Sequence, residues 1–172
     1  MYHHTLHILL RCSDALLESS LRGANPHDGF THVITAACDP ACRQDPAALS
    51  DLAEADIVLL DAADMAQLPG MRKAAKKEAL FIFVGEGAGE PAAELLPLLD
   101  DVWPGPASAS LYEFRVARLL TAVRQRMDHE LTTLHLETAI NLTSDLVWVK
   151  DAKGAHIKVN EAFCRLVGKS RQ

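Results

Sequence analysis

The sequence predicts an α/β protein in which a parallel β-sheet is covered by helices on both faces. Short apolar runs alternate with stretches of helical spacing through the first two thirds of the 172 residues. The runs DIVLLD (56–61) and ALFIFVG (79–85) lack the alternation of a half-exposed strand, so both faces of these strands are expected to be buried. Buried strands separated by helices are typical of a parallel sheet between two helical layers.

Five strand–helix units are predicted in order. The strands are predicted at 6–10, 31–36, 56–61, 79–85 and 101–105. The helices are predicted at 14–23, 45–55, 65–79, 90–101 and 108–137. We expect the third helix to be interrupted at Pro69-Gly70, because proline lacks the N–H that an α-helix uses. Five such units predict a flavodoxin-like doubly wound sheet of five parallel strands.

Composition and charge restrict the classes of function. The chain is 49% hydrophobic and 23% charged, as in ordinary globular proteins. Its net charge of −6 argues against a nucleic-acid partner, because phosphate binding needs clustered Lys and Arg. No apolar run approaches the roughly 20 residues of a membrane span, and the N-terminal stretch does not resemble an export signal. The four cysteines follow no disulfide or zinc spacing. We therefore expect a cytoplasmic protein with no membrane and no nucleic-acid partner.

The last helix of these units is longer than a small α/β domain requires. About 30 residues at 1.5 Å each give roughly 45 Å. Its apolar residues step by three or four positions, which is a heptad pattern with one stutter: Val116, Leu120, Val123, Met127, Leu131 and Leu134. We expect this seam to form a coiled coil in a parallel homodimer, and the alternative is that the stripe packs on the C-terminal segment. In the first half of the helix, Leu111, Phe114 and Leu119 are expected to pack on the sheet.

Three stretches resemble the receiver domains of bacterial response regulators. ADIVLLDAADM (55–65) is similar to the third strand of that family and the aspartate that ends it. ALFIFVGEGA (79–88) resembles the fourth strand and its loop. LLDDVWPGPASASLYEFRVARLL (98–120) resembles the last strand, a proline-containing turn and the final helix. The resemblance covers about residues 5–127, rests on order and spacing, and implies that Asp61 is the candidate phosphoacceptor.

The resemblance also implies a divalent cation, because an anionic phosphoryl group must approach an anionic aspartate. In the family a pair of acids follows the first strand, but Arg11 and Cys12 occupy those positions here. Asp14 and Asp61 are the candidate metal ligands, with Asp64 as the alternative to Asp14, and Mg²⁺ is expected only if the receiver is active. Asp14 is also suited to cap the first helix.

Two further family positions differ. Gly85 replaces the hydroxyl residue after the fourth strand, and the lysine after the fifth strand falls at or near Gly105. With three of four functional positions missing, the resemblance implies a degenerate receiver, or pseudo-receiver, used for docking or dimerisation. The alternative is an active phosphoreceiver of a hybrid histidine kinase or response regulator, phosphorylated at Asp61.

The glycine-rich stretch GEGAGE (85–90) allows a second alternative, a nucleotide- or flavin-binding α/β domain, since backbone N–H groups at such a loop can bind phosphate. Its glycine spacing differs from the dinucleotide fingerprint, and Glu86 and Glu90 place negative charge where a phosphate would bind. A flexible loop is therefore favoured.

The C-terminal stretch ETAINLTSDLVWVKDAKGAHIKVNEAFCRLVGKS (137–170) resembles the beginning of a PAS sensor domain. In this resemblance Asp145 opens the first strand, Asp151 to Gly154 form a hairpin turn, and Asn160 leads into a short helix that contains Phe163. Gly154 supplies the conformational freedom that a tight turn needs. A complete PAS domain is larger, so a fragment of a longer chain is expected, and the ligand of the complete domain is unknown.

Together these features predict a receiver-like domain at 1–107, a signalling helix at 108–137 and an incomplete PAS segment at 138–172. This layout is similar to multidomain bacterial sensors of the two-component type. We expect a non-catalytic regulatory region without a cofactor of its own, joined in the same chain to a downstream output domain. A diguanylate cyclase is the first expectation for that output, ahead of a histidine kinase, by analogy of layout alone.

Overall fold

The computed structural model describes residues 4–24, 30–37, 46–86, 91–154 and 156–168. The chain divides into two compact units, Met1–Leu119 and Leu120–Gln172. The division falls inside the long helix rather than at either end of it. None of the helices in the described ranges is both long and apolar enough to cross a membrane.

The first unit contains a five-stranded sheet. Its strands are β1 (His4–Leu10), β2 (Phe30–Ala36), β3 (Ile57–Leu60), β4 (Leu80–Glu86) and β5 (Asp101–Gly105). The order across the sheet is β2-β1-β3-β4-β5, and every adjacent pair is parallel. This order confirms the predicted flavodoxin-like topology.

The sheet is covered as its apolar runs predict. All four residues of β3 are buried, and the largest buried side chains of β4 are Phe81 and Phe83. Leu17 and Leu21 on α1 (Ala15–Gly23) are also fully buried. The core therefore consists of central strands apolar on both faces and of helices that bury one side.

The other short helices of this unit are α2 (Pro46–Glu54), α3 (Leu68–Ala74), and two 3-10 helices at Ala62–Gln67 and Leu96–Leu98. Pro69 lies in the first turn of α3, where its missing N–H has no partner to lose, so it begins that helix instead of interrupting it. The predicted helix at 90–101 is wrong for the described residues from 91 onward, which form a turn and the short 3-10 helix. Pro97 accounts for the difference, because it removes an N–H and restricts the residue before it.

The long helix α4 runs without a break from Ala109 to Leu142, 34 residues in all. Its extent exceeds the predicted 108–137 by five residues at the C-terminal end. The expected packing face was wrong: Phe114 is 58% exposed and Leu111 is 39% exposed, whereas Tyr112 and Val116 are buried. These two residues, four positions apart, lie on the inner face of the helix.

The second unit contains, besides its part of α4, an antiparallel pair, β6 (Trp148–Lys150) and β7 (His156–Val159), followed by α5 (Glu161–Val167). The Lys158 ammonium lies 2.8 Å from the Glu137 carboxylate on α4. The Trp148 and Phe163 rings are 5.8 Å apart. These contacts connect the hairpin to both helices of the unit.

Candidate functional site

A pocket of about 310 Å³ lies at the carboxyl ends of β1, β3 and β4. The carboxyl ends of parallel strands meet at one edge of a sheet, and ligands of doubly wound folds bind at that edge. The residues that line it are Cys12, Ser13, Asp14, Asp61, Ala62, Ala63 and Val84. Two of the predicted site residues, Asp14 and Asp61, are therefore brought to the same pocket.

Asp61 follows β3 directly and begins the 3-10 helix. Its Oδ1 accepts a hydrogen bond from the Ala63 N–H at 3.0 Å, and its side chain is partly exposed. An aspartate in this conformation satisfies a free N–H at the helix start. The residue is thus both a capping group and an accessible carboxylate at the predicted phosphoacceptor position.

Arg11 lies at the end of β1 with its side chain turned into the protein. Its Nε and Nη2 both donate to Oδ1 of Asp64, at 3.1 and 2.8 Å. The two side chains are 4% and 1% exposed. A buried charge needs a counter-charge, and Asp64 neutralises the buried Arg11 guanidinium. The alternative in which Asp64 completes a metal site does not fit this arrangement.

Asp14 caps α1, as the sequence suggests. Its Oδ1 accepts hydrogen bonds from the Leu16 and Leu17 N–H groups, both at 3.0 Å. Its Oδ2 accepts a hydrogen bond of 2.5 Å from the hydroxyl of Tyr112, which lies near the start of α4. Both carboxylate oxygens of Asp14 therefore already have partners within the protein.

The Tyr112 side chain is fully buried. Burial, followed by the hydrogen bond to Asp14, raises the pKa of Tyr112 from 10.0 to about 12. Burial disfavours the phenolate, and a neighbouring carboxylate favours the form that donates a proton. The hydroxyl stays protonated over the whole physiological range, so it acts here as a hydrogen-bond donor.

Glycines occupy the two other positions that the receiver resemblance singles out. A Cβ at Gly85 would lie 2.6 Å from the ring of Phe83. A Cβ at Gly105 would lie 2.9 Å from the carbonyl oxygen of Gly85 and 3.1 Å from the Tyr112 hydroxyl. Backbone and side chains thus fill the space that a hydroxyl residue or a lysine would need at these positions.

Within the described residues, no group of three or more His, Cys, Asp or Glu side chains is placed to hold a metal ion. A magnesium site is usually built from carboxylate and water oxygens, and here one candidate ligand, Asp14, is engaged by three donors. The residues at the pocket do not fit a magnesium site, and no step through a metal is derived.

Two residues of this site escaped the sequence analysis as functional groups. Tyr112 contacts Asp14 across 98 positions, and Arg11 meets Asp64 across 53 positions. No local sequence pattern predicts that the members of either pair are in contact. The GEGAGE stretch is described only at Gly85 and Glu86, which belong to β4, and its remaining residues, 87–90, lie outside the described ranges.

The predicted dimer seam on α4 has mixed burial in the single chain. Val116 and Val123 are each 1% exposed in the single chain. Leu120, Met127 and Leu131 are partly buried. Leu134 is 59% exposed. Only the C-terminal part of the predicted seam is available for pairing.

The predicted PAS-type residues are placed along the hairpin. Asp151 to Gly154 form the turn, with the Gly154 N–H donating to the Asp151 carbonyl at 3.0 Å and with a φ of 84° at Gly154. This left-handed conformation is easy only for glycine. Asp145 is exposed in the segment before β6, and Phe163 is partly buried on α5.

Asn160 is a fully buried polar residue of the second unit. Its Nδ2 donates to the carbonyls of Ile140 and Asp145, at 3.1 and 2.8 Å. Its Oδ1 accepts from the N–H groups of Val147 and Phe163, at 3.1 and 3.0 Å. One side chain thus joins the end of α4, the connecting segment, the start of the hairpin and α5.

Comparison with known proteins supports the fold of the first unit. No protein-family model matches the chain, and no curated protein matches it in sequence. The REC domain of AraT, a response regulator from Geobacillus stearothermophilus, is similar with a TM-score of 0.53 and 15% identity, over 73% of this chain and 98% of that one. NtrX from Brucella abortus is similar with a TM-score of 0.53 and 18% identity, over 86% of this chain and 32% of that one. At such identities the likeness establishes the fold: the five-stranded parallel sheet with its helices is that of response-regulator receiver domains.

Proposed function

We propose that the chain is a non-catalytic regulatory region of a bacterial signal-transduction protein, in which a degenerate receiver domain is linked through a dimerising helix to a PAS-like sensor segment. The observation that carries the proposal is the pocket at the receiver position. It retains Asp61, but both oxygens of Asp14 are occupied and Arg11 is buried against Asp64.

The chemistry of phosphoryl transfer supports this reading. Transfer to an aspartate relies on positioned cations that neutralise charge as the phosphoryl group approaches. The Arg11 guanidinium is the cation nearest in sequence to the pocket-lining residues after β1, and Asp64 already neutralises it. Gly105 offers no ammonium group, and the space beside it is filled by Tyr112.

Intact-mass spectrometry after incubation with acetyl phosphate and Mg²⁺ tests the proposal. The expected result is no added mass in the native chain or in Asp61→Ala. Addition of one phosphoryl group to the native chain, abolished by Asp61→Ala, would overturn the degenerate assignment. That result would favour the second candidate function, an active phosphoreceiver. The partly exposed Asp61 carboxylate in the pocket supports this alternative.

The dimer is the second part of the proposal. Leu134, at the C-terminal end of the predicted seam, is 59% exposed. An exposed leucine on the seam favours pairing with a second helix, since its burial contributes about 1.5–3 kcal/mol. Light scattering at increasing concentration should give the mass of a dimer, and Leu134→Glu should shift it toward the monomer. A monomer at every concentration would refute this part.

The PAS-like segment and the parent chain are inferences from layout. The hairpin, the Gly154 turn and the Asn160-capped helix α5 occur in the order expected for the start of a PAS domain. A diguanylate cyclase output remains the favoured parent. Sequencing of the gene beyond the codon for Gln172 tests this directly: a PAS continuation followed by a cyclase domain is expected, and any other continuation would refute it.

A further inference from the structure

The carboxylate of Asp14 joins two helices that are far apart in the chain. One oxygen receives the N–H groups of Leu16 and Leu17 at the start of α1, and the other receives the Tyr112 hydroxyl at the start of α4. The same residue lines the pocket after β1. A single side chain therefore contacts the pocket, α1 and α4.

The bond between Tyr112 and Asp14 joins a neutral hydroxyl donor to a carboxylate acceptor. Hydrogen bonds to an ionised partner are stronger than those between two neutral groups. The Tyr112 side chain is fully buried, and its hydroxyl donates to Asp14. Within the described part of the chain, the hydroxyl accepts one further hydrogen bond, from the Ala107 N–H at 3.4 Å, which is long for such a bond.

The surroundings leave the hydroxyl little freedom to move. A Cβ at Gly105 would lie 3.1 Å from it, so the backbone of β5 passes directly beside the phenol. We propose that the Tyr112–Asp14 hydrogen bond is a latch that fixes the loop after β1 and the start of α4 in one arrangement, so that neither segment moves without the other. As a signalling device the latch rests on the proposed function, in which α4 is the output helix.

The latch would couple the start of α4 to the pocket without a phosphorylation step. Allosteric coupling requires two segments whose positions depend on each other. Asp14 lines the pocket and Tyr112 lies on the helix. The hydrogen bond between them makes the position of each segment depend directly on the other. A change at the pocket reaches the first turns of α4 through one contact.

Hydrogen exchange resolved to single residues tests the latch in the full chain. Tyr112→Phe removes only the hydroxyl, and Asp14→Ser keeps a side-chain oxygen that can cap α1 but removes the second oxygen that accepts from Tyr112. Each variant should speed exchange at both the Leu16–Leu17 amides and the amides at the start of α4, by roughly 10- to 100-fold, the range for a lost hydrogen bond to a charged group. The double variant should be no faster than the single variants, because both remove the same bond.

A matched control is Arg22→Gln, which breaks the exposed ion pair with Glu18 on α1 and should leave α4 unchanged. If Tyr112→Phe changes exchange only in α4, or if the two variants add, the hydroxyl has a local packing role and the latch is refuted. Urea unfolding of each variant confirms that the chain is folded during the measurement. The mass experiment on Asp61 is independent of the exchange experiment. A phosphorylated Asp61 with coupled exchange would refute the degenerate receiver alone, and an unphosphorylated Asp61 without coupled exchange would refute the latch alone.

Discussion

Replacement of Arg11 is expected to have the largest effect on stability of any single substitution at the site. Arg11→Met keeps the apolar stem and removes the guanidinium, so the Asp64 carboxylate, 1% exposed, loses the cation that lies 2.8 Å from its Oδ1. Loss of one partner of a buried ion pair costs about 3–5 kcal/mol. Against a total free energy of unfolding of about 5–15 kcal/mol, this is a large fraction.

Urea denaturation measures the effect. With a slope of about 2 kcal/mol per molar, the loss of about 3–5 kcal/mol lowers the urea midpoint by about 1.5–2.5 M. The double variant Arg11→Met/Asp64→Asn should recover more than half of this loss, because no unpaired charge is then buried. The control Arg22→Met breaks an ion pair whose side chains are 56% and 36% exposed and should cost no more than about 1 kcal/mol.

Two outcomes would refute the reasoning. Equal midpoint shifts for Arg11→Met and Arg22→Met would mean that water reaches Asp64. A double variant as unstable as the sum of the two single variants would mean that the two side chains act separately.

Three further predictions concern single residues. With Tyr2 replaced by Phe, Tyr112 is the only tyrosine, and its ultraviolet absorbance should titrate near the raised pKa of about 12. Since the fold favours the protonated form, the contribution of Tyr112 to the free energy of unfolding should be constant below about pH 10 and fall between pH 10 and 12, measured as the difference from Tyr112→Phe. Gly105→Ala should lower the free energy of unfolding by about 1–3 kcal/mol, because the new Cβ meets the Gly85 carbonyl oxygen at 2.9 Å. Asn160→Ala removes four hydrogen bonds and should destabilise the second unit by about 2–4 kcal/mol, measured as faster amide exchange in its hairpin.

Each of these has its own control. Asp14→Asn should lower the pKa of Tyr112, and an unchanged titration would show that burial alone raises it. Gly70→Ala, where an added Cβ meets nothing within 4 Å, should not destabilise the protein. Asn141→Ala removes a single acceptor, for the Glu161 N–H, and should cost less than Asn160→Ala. Equal costs for the members of either matched pair would contradict the contact-based reasoning.

The sheet could be predicted from the sequence because its central strands carry a local signal. Strands buried on both faces are apolar at every position, as in the four residues of β3. The predicted helix at 90–101 was wrong in its described part, where Pro97 lies within a short 3-10 helix. Helical spacing of apolar residues does not form an α-helix where a proline removes an N–H and restricts the residue before it.

The packing face of α4 and the partners at the site depend on contacts between distant residues. Apolar or aromatic residues occur on several sides of the helix start, including Leu111, Tyr112, Phe114 and Val116, so spacing alone does not select a face. The inner face contains Tyr112, whose hydroxyl has its acceptor near the other end of the domain sequence. Likewise Arg11 could be recognised as a departure from the receiver pattern, but Asp64 could not be recognised as its partner.

Gly105 gives the site an unusual mutational landscape. A side chain at this position would have to displace both a backbone carbonyl of β4 and the phenol of Tyr112, so substitutions here are epistatic rather than independent. A basic residue at 105 becomes tolerable only in a background where residue 112 is already smaller and β4 and β5 have moved apart. The order in which changes occur then decides which are viable, and no single step converts this pocket into one that holds an ammonium group.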